Sequence, residues 1–225
     1  MIKAVFFDWG NTLTIISFRD VKEKINNLLK PYNLTWGDLQ LKWASLYEIR
    51  VSGYIKSDEE MSVWLEKITG KENLPLKEIL KVVIDSTVFP QENIEIIKKL
   101  KEKYKVGLLT NNIREWLEPA LKRYKIENLF DAIITSSEVG AKKPDAKIYY
   151  AALKSLSVKP EETVFVSDEL SEDLIAAKGC GIKTIWLDTG GDDEGSKKER
   201  EMAKLFKPDA IIKNLQEVVS LIEKI

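Results

Sequence analysis

The chain has 225 residues, of which 44% are hydrophobic and 32% charged. With 35 basic and 36 acidic residues its net charge is −1, which argues against a domain held to nucleic acid by bulk positive charge. Histidine is absent and Cys180 is the one cysteine, so Ser-His-Asp and Cys-His catalysis, histidine zinc sites and an intrachain disulfide are excluded.

Any catalysis must therefore come from carboxylates, lysines, hydroxyls and backbone dipoles. No apolar run reaches the roughly 18–20 residues that span a bilayer. The opening MIKAVFFD lacks the pattern of a signal peptide. A cytoplasmic protein with neither a membrane nor a nucleic-acid partner is expected. Lysine and glutamate abound and glutamine is scarce (Gln40, Gln91, Gln216), the composition of many hyperthermophile proteins. A melting temperature in the mesophile range would contradict that expectation.

Ile2 to Phe7 form a short apolar run ending in Asp8, which reads as a strand buried on both faces of a parallel sheet. Residues 18–86 have a different texture. Val21, Ile25, Leu28 and Leu29 recur at helical spacing. So do Leu39, Trp43, Leu46, Tyr47 and Arg50, after Thr35 as an N-cap. Ser57-Asp58-Glu59-Glu60 reads as a helix start before Met61, Trp64, Leu65 and Ile68, with Gly70 as the stop. Leu76, Ile79, Leu80, Val83 and Ile84 make a fourth helical stripe. After Pro90, strands are expected at Lys105–Thr110, Ala132–Thr135, Thr163–Asp168, Thr184–Leu187 and Ala210–Ile212. Helices start near Asn93, Glu115, Lys147, Asp173 and Leu215. This alternation implies a doubly wound, Rossmann-like parallel α/β core. The four helices are then a small all-helical module inserted after the first strand. Gly190 to Lys198 reads as a mobile surface loop.

Ligands of open α/β sheets bind beyond the carboxyl ends of the strands. There the first strand presents Asp8-Trp9-Gly10-Asn11-Thr12 and the second Leu108-Leu109-Thr110-Asn111. The third leads to Lys143-Pro144-Asp145, and the fourth to Val166-Ser167-Asp168 with Asp173 beyond. Two strand-end carboxylates, a hydroxyl, backbone amides and a lysine suit a hard divalent cation and a phosphoryl group. A carboxylate can also attack phosphorus to give an aspartyl phosphate.

In these four motifs, in this order and at these strand ends, the chain resembles the haloacid dehalogenase superfamily with a helical cap after the first motif. The resemblance covers almost the whole chain, with residues 1–17 and 88–225 as core and 18–87 as cap. It implies Asp8 as nucleophile. It implies a Mg²⁺ site made of Asp8, the Gly10 carbonyl and Asp168, with Asp173 orienting the metal or its waters. Thr110 and the Asn111 amide would hold phosphoryl oxygens, and Lys143 would pair with Asp8 and the transferring group. The partner implied is a small phosphorylated substrate, and the protein would be a monomer or a homodimer.

One position departs from the pattern. Phosphatases of the family usually carry aspartate two residues after the nucleophile, as proton donor to the leaving group and later as activator of water. Gly10 stands there and can do neither. Three active readings follow. The first is a phosphohydrolase with a leaving group that departs unprotonated, or with an acid supplied by the cap; Glu48, Tyr54, Glu59 and Glu60 are available. The second is a phosphonatase-like enzyme using a cap lysine, with Lys22, Lys24, Lys42 and Lys56 placed for it. The third is a dehalogenase, against which the retained Asp168 and Asp173 argue. A non-catalytic relative that binds phosphate compounds or a partner is the fourth reading.

Local alternatives stand beside these roles. Trp9 either lines the substrate pocket or packs against the cap. Trp36, Trp43, Tyr47 and Trp64 read as cap core, whereas Tyr54, after Gly53 in a loop, is better placed to face substrate. Lys142 reads as a solvated charge beside Lys143, Cys180 as a small buried residue, and Lys197 to Glu201 as a solvated helix face.

Overall fold

The structure is a computed structural model that describes residues 1–192 and 194–225; of Phe18 and Arg19 it describes the backbone alone. Six parallel strands form the central sheet: β1 (Ala4–Phe7), β4 (Lys105–Thr110), β5 (Ala132–Thr135), β6 (Thr163–Ser167), β7 (Lys183–Leu187) and β8 (Ala210–Ile212). Their spatial order is β5-β4-β1-β6-β7-β8. The chain therefore winds outward from β1 to β5, crosses back, and winds outward the other way from β6. The winding reverses between β1 and β6, whose register pairs Phe7 with Val166. That crevice is where such sheets bind ligands.

Alternation along each strand divides its side chains between two apolar layers. Val5, Phe7, Val106, Leu108, Val164 and Val166 face one layer, closed by α5 (Gln91–Lys101), α6 (Arg114–Tyr124) and α11 (Gln216–Leu221). Ala4, Phe6, Leu109 and Phe165 face the other, closed by α8 (Ala146–Leu156), which follows the single-turn α7 (Ser136–Val139), and by α9 (Ile175–Gly179) and α10 (Glu194–Phe206). Phe6 lies opposite Gly107 in the β1–β4 register. A Cβ at Gly107 would overlap the Phe6 ring, so glycine is what lets these two strands pair around that side chain. Gly107→Ala is expected to cost about 1–3 kcal/mol by overpacking, read as a lower urea midpoint at unchanged slope.

Between β1 and α5 run α1 (Phe18–Leu29), α2 (Trp36–Val51), α3 (Asp58–Thr69) and α4 (Leu76–Asp85). They bury a cluster of their own, built on Ile25, Leu29, Leu39, Met61, Leu65 and Ile79. Thr35 and Asp38 form a reciprocal capping box at the start of α2. Ser57 caps α3, and Gly70 ends it in the left-handed conformation. The chain enters and leaves this segment through a two-stranded antiparallel ribbon, β2 (Ile15–Ile16) with β3 (Thr87–Val88), which hydrophobic periodicity is too coarse to reveal. Among the described residues no helix is long and apolar enough to cross a membrane.

Four expectations are corrected here. The loop expected at Gly190–Lys198 gives way to α10 from Glu194, and its residue 193 lies outside the described residues. Glu199 is not a solvated face: its carboxylate accepts bonds from the Leu170 and Ser171 N–H groups and the Ser171 hydroxyl. The helix expected to start near Asp173 begins earlier, with a π-helical turn at Leu170–Leu174 that this carboxylate caps. Trp64 is half-exposed beneath Lys67, on the flank of the Met61–Leu65 stripe that α3 buries.

Candidate active site

Asp8 leaves the end of β1 at the reversal of winding, and the following turn is tightly bonded. The Trp9 carbonyl accepts bonds from Leu13 N–H, Thr14 N–H and the Thr14 hydroxyl, and Thr12 N–H donates to the Gly10 carbonyl at 2.6 Å. Asn11 takes the left-handed conformation this turn requires, one that asparagine tolerates. The turn brings Thr12 to the end of β6. There its hydroxyl donates to Asp168 Oδ1 at 2.8 Å and accepts from Asp168 N–H at 3.0 Å. The Trp186 indole N–H holds the Asp168 carbonyl at 2.9 Å. Asp168 itself, expected as the last strand residue, lies just beyond the strand end at Ser167.

Lys143 is 2% exposed. Its Nζ lies 2.6 Å from Asp8 Oδ1 and 2.6 Å from Asp173 Oδ2. The Ser167 hydroxyl donates to the same Asp173 oxygen at 2.6 Å, and the Tyr149 hydroxyl to the Asp173 carbonyl at 2.7 Å. The Asn111 side chain clasps the Lys143 backbone, accepting from its N–H at 2.7 Å and donating to its carbonyl at 3.0 Å. One lysine is thus locked between two carboxylates, with little room to choose another rotamer.

The electrostatics follow from burial. Desolvation pushes the Asp8 carboxyl up to about 6 against the opposing pull of Lys143, with Asp173 adding to the rise. Desolvation, and then the charge of Asp8, push Asp168 up to about 7. Burial works against the charge of Lys143, but Asp173 and Asp8 outweigh it and hold the ammonium above the usual lysine range. Asp8 and Asp168 therefore face each other with a deficit of positive charge that Lys143, bonded to Asp8 and Asp173, does not cover at Asp168.

A cavity of about 610 Å³ opens over this group, bordered by Asp8, Gly10, Thr110, Asn111, Lys143, Asp168 and Asp173. All the residues singled out from the four motifs meet there. Trp9 borders it too, but it is 5% exposed and packs against Phe89 in the core layer, so it stands in the floor rather than in the four-helix cluster. The lining also holds Trp36, Trp43 and Tyr47 from α2 and Trp116 from α6. Trp36 and Trp43 do pack against the cap cluster as expected, but they and Tyr47 border the cavity as well. Tyr54 is 81% exposed and lies outside this lining, as do Glu48, Glu59 and Glu60. Lys142 is not a free solvated charge: it pairs with Glu48 of α2. A larger cavity of about 790 Å³ shares Asn11, Asp168 and Glu169 with this one but is lined by neither Asp8 nor Lys143.

Ser167, the Thr12–Asp168 link and the contact of the Tyr47 hydroxyl with the Asn111 carbonyl at 2.7 Å were not assigned from the sequence. Thr12 and Ser167 lay inside the motifs. Tyr47 carried no signal beyond its helical stripe.

A family model described as haloacid dehalogenase-like hydrolase matches residues 52–187. A glyceraldehyde 3-phosphate phosphatase of Pyrococcus abyssi is 33% identical over 201 residues, 84% of this chain and 83% of that protein. Its namesake from Pyrococcus furiosus is 33% identical over 131 residues, and the match spans about half of that relative's length (52%) and 57% of this chain. In three dimensions the chain is similar to a HAD-family enzyme of Bacteroides thetaiotaomicron, solved as an Asp-to-Ala mutant with magnesium and inorganic phosphate. The TM-score is 0.73 at 22% identity, covering 87% of this chain and 98% of that one. It is also similar to a 2-haloacid dehalogenase of Pseudomonas syringae, with a TM-score of 0.72 at 20% identity over 100% of this chain and 99% of that one.

Proposed function

The chain belongs to the haloacid dehalogenase-like hydrolases, and we propose that it catalyses Mg²⁺-dependent phosphoryl transfer through Asp8, most simply hydrolysis of a small phosphorylated metabolite. The observation that carries this reading is the Lys143 ammonium 2.6 Å from Asp8, at the reversal of strand winding and beneath an open cavity. Asp8 attacks phosphorus. The bond from phosphorus to the leaving oxygen breaks, and its electron pair departs on that oxygen. Lys143 neutralises charge as it passes, while the Thr110 hydroxyl and the Asn111 backbone N–H hold phosphoryl oxygens. Water then attacks phosphorus, returning the Asp8 carboxylate and releasing inorganic phosphate. The four-helix segment, residues 18–87, acts as a cap moving on the β2–β3 ribbon to exclude water.

The residues fit Mg²⁺. Two carboxylates of raised pKa with uncompensated charge are what a hard cation relieves. Among the described residues no group of three or more acidic, histidine or cysteine side chains forms a metal site. Mg²⁺ matches that count, because it takes one or two carboxylates and keeps waters and substrate oxygens. Asp8, Asp168 and the Gly10 carbonyl would hold it. The Asp173 carboxylate, bonded to Lys143 and Ser167, orients the lysine. Bound there, the ion supplies charge neutralisation to the transferring phosphoryl group.

The sign of the pH dependence follows. Folded-state values above the ordinary aspartate value mean the folded protein holds protons more tightly than the unfolded chain. The resulting stability is full below pH about 4 and is lost as pH rises through about 6 to 7. In EDTA the melting temperature is expected to fall across that window, and less steeply in Asp168→Asn. Mg²⁺ should restore most stability at the high-pH end. A Mg²⁺ effect equal at pH about 5 and about 8 would contradict this placement.

The phosphonatase-like reading lacks support. Among the described lining residues Lys143 is the one lysine, and Lys42 and Lys56 bond backbone carbonyls of their own segment. The assay is phosphate release from acetyl phosphate, p-nitrophenyl phosphate and glyceraldehyde 3-phosphate, with Mg²⁺ or EDTA. Mg²⁺-dependent release, lost in Asp8→Asn, is expected. No release from any of them, with Mg²⁺ shown to bind, would leave the protein a binding relative.

A further inference from the structure

We infer that the preferred substrate is an aryl phosphate, whose flat aromatic leaving group is held by Trp43, Tyr47 and Trp116 and departs as an unprotonated aryloxide. The inference rests on the proposed phosphoryl transfer and adds the class of leaving group. Two independent observations converge on it.

The first is the aromatic cluster that borders the same cavity as Asp8. Trp43 and Trp116 stack with ring centroids 6.4 Å apart and planes 27° apart, as do Tyr47 and Trp116 at 5.9 Å and 27°. Trp36 meets Trp43 edge-on at 5.8 Å. These rings are fixed before any ligand arrives. The Trp116 indole N–H donates to Asp58 at 3.0 Å, and the Tyr47 hydroxyl donates to the Asn111 carbonyl. All four rings are half-buried and border the cavity, so each retains surface that a ligand can cover. Flat, rigid, apolar surface of this kind favours a planar aromatic group. Among the described lining side chains the one cation is Lys143, already bonded to Asp8 and Asp173. The lining thus offers no second described cationic side chain to a second phosphate or to a carboxylate on the leaving group.

The second observation is Gly10. A Cβ built there meets nothing within 4 Å, so the space where a proton donor would stand is open. Tyr47 cannot replace that donor: its hydroxyl already donates to a carbonyl, and burial pushes its pKa up. An alkoxide is a poor leaving group without a proton, whereas an aryloxide spreads its charge into the ring. The step balances. Asp8 Oδ bonds to phosphorus, the P–O(aryl) bond breaks, and the electron pair leaves on the aryl oxygen. Water later converts the aspartyl phosphate to Asp8 and inorganic phosphate, and its released proton neutralises the aryloxide in solution.

The test compares p-nitrophenyl, naphthyl, benzyl and acetyl phosphates on the full chain with Mg²⁺. Benzyl phosphate keeps the ring but loses the good leaving group, and acetyl phosphate keeps the leaving group but loses the ring. The aryl phosphates should exceed benzyl phosphate in kcat/KM by about 10²-fold or more. Trp43→Ala should lower kcat/KM for naphthyl phosphate about tenfold, with acetyl phosphate within about twofold, and Trp43→Phe should recover most of the loss. Equal losses for acetyl and naphthyl phosphate, or benzyl phosphate as good as the aryl esters, would overturn the inference while leaving phosphoryl transfer intact. No turnover of any of the four would remove the proposed function itself, and this inference with it.

Discussion

Replacing Lys143 with methionine is expected to lower kcat by about 10²–10³-fold and to destabilise the protein by about 3–5 kcal/mol. Both effects come from one geometry. The ammonium is 2% exposed and within 2.6 Å of two carboxylates, Asp8 and Asp173. A methionine fills similar volume but leaves those carboxylates without their cation, and breaking a buried pair costs far more than a surface pair returns. The kinetic loss arises because a fixed positive charge at the transferring group acts in a partly dry site. Lys142→Met is the control. That lysine pairs with Glu48 on a half-exposed surface and is expected to leave kcat within about threefold and stability within about 1 kcal/mol. Similar losses in the two variants would show that Lys143 has no special place.

Placing aspartate at Gly10 is expected to raise kcat for a phosphate ester with a poor leaving group, such as benzyl or glyceraldehyde 3-phosphate, by about 10²–10⁴-fold. The backbone tolerates the change. Gly10 is not in the left-handed region, and its missing Cβ would meet nothing within 4 Å. The new carboxyl would stand at the rim of the cavity, two residues from Asp8, where it can protonate a departing alkoxide and then activate water. For acetyl phosphate, whose leaving group needs no proton, kcat/KM should stay nearly unchanged, and any gain should be confined to kcat, through faster breakdown of the phosphoenzyme. A well-folded Gly10→Asp protein with no gain on the alkyl esters would mean that more than the acid is missing.

The strand ends were legible because a parallel sheet demands continuous apolar runs. A carboxylate closing such a run, as Asp8 does after Phe7, stands out against it. Lys143 was legible by its place before Pro144 in the third motif, although composition alone would not separate it from Lys142. What stayed hidden is what only distance in the fold creates. Thr12 reaches Asp168 across 156 residues, and Tyr47 reaches Asn111 across 64; periodicity carries no information at that range. The α2 aromatics were legible as a stripe but not as a wall, because a helical stripe shows which residues share a face and not what that face meets. The stripe of α2 borders a cavity and stacks there on Trp116, which comes from a different segment. Glu199 was misread for the same reason. Amid a run of charges it looks solvated, and its partners Leu170 and Ser171 lie nearly 30 residues earlier.

The most direct test of covalent transfer through Asp8 is to trap the intermediate. If transfer runs through Asp8, the lack of a water-activating carboxylate at Gly10 should slow breakdown of the aspartyl phosphate, so the phosphoenzyme is expected to accumulate. Protein mixed with p-nitrophenyl phosphate and Mg²⁺, then quenched in acid, should show a burst of p-nitrophenol approaching one per chain. Its intact mass should rise by one phosphoryl group, lost again on treatment with hydroxylamine. Peptide mapping should place that group on Asp8, Asp8→Asn should show neither burst nor adduct, and Gly10→Asp should shrink the burst. Turnover without an adduct on Asp8, or undiminished activity in Asp8→Asn, would contradict the account.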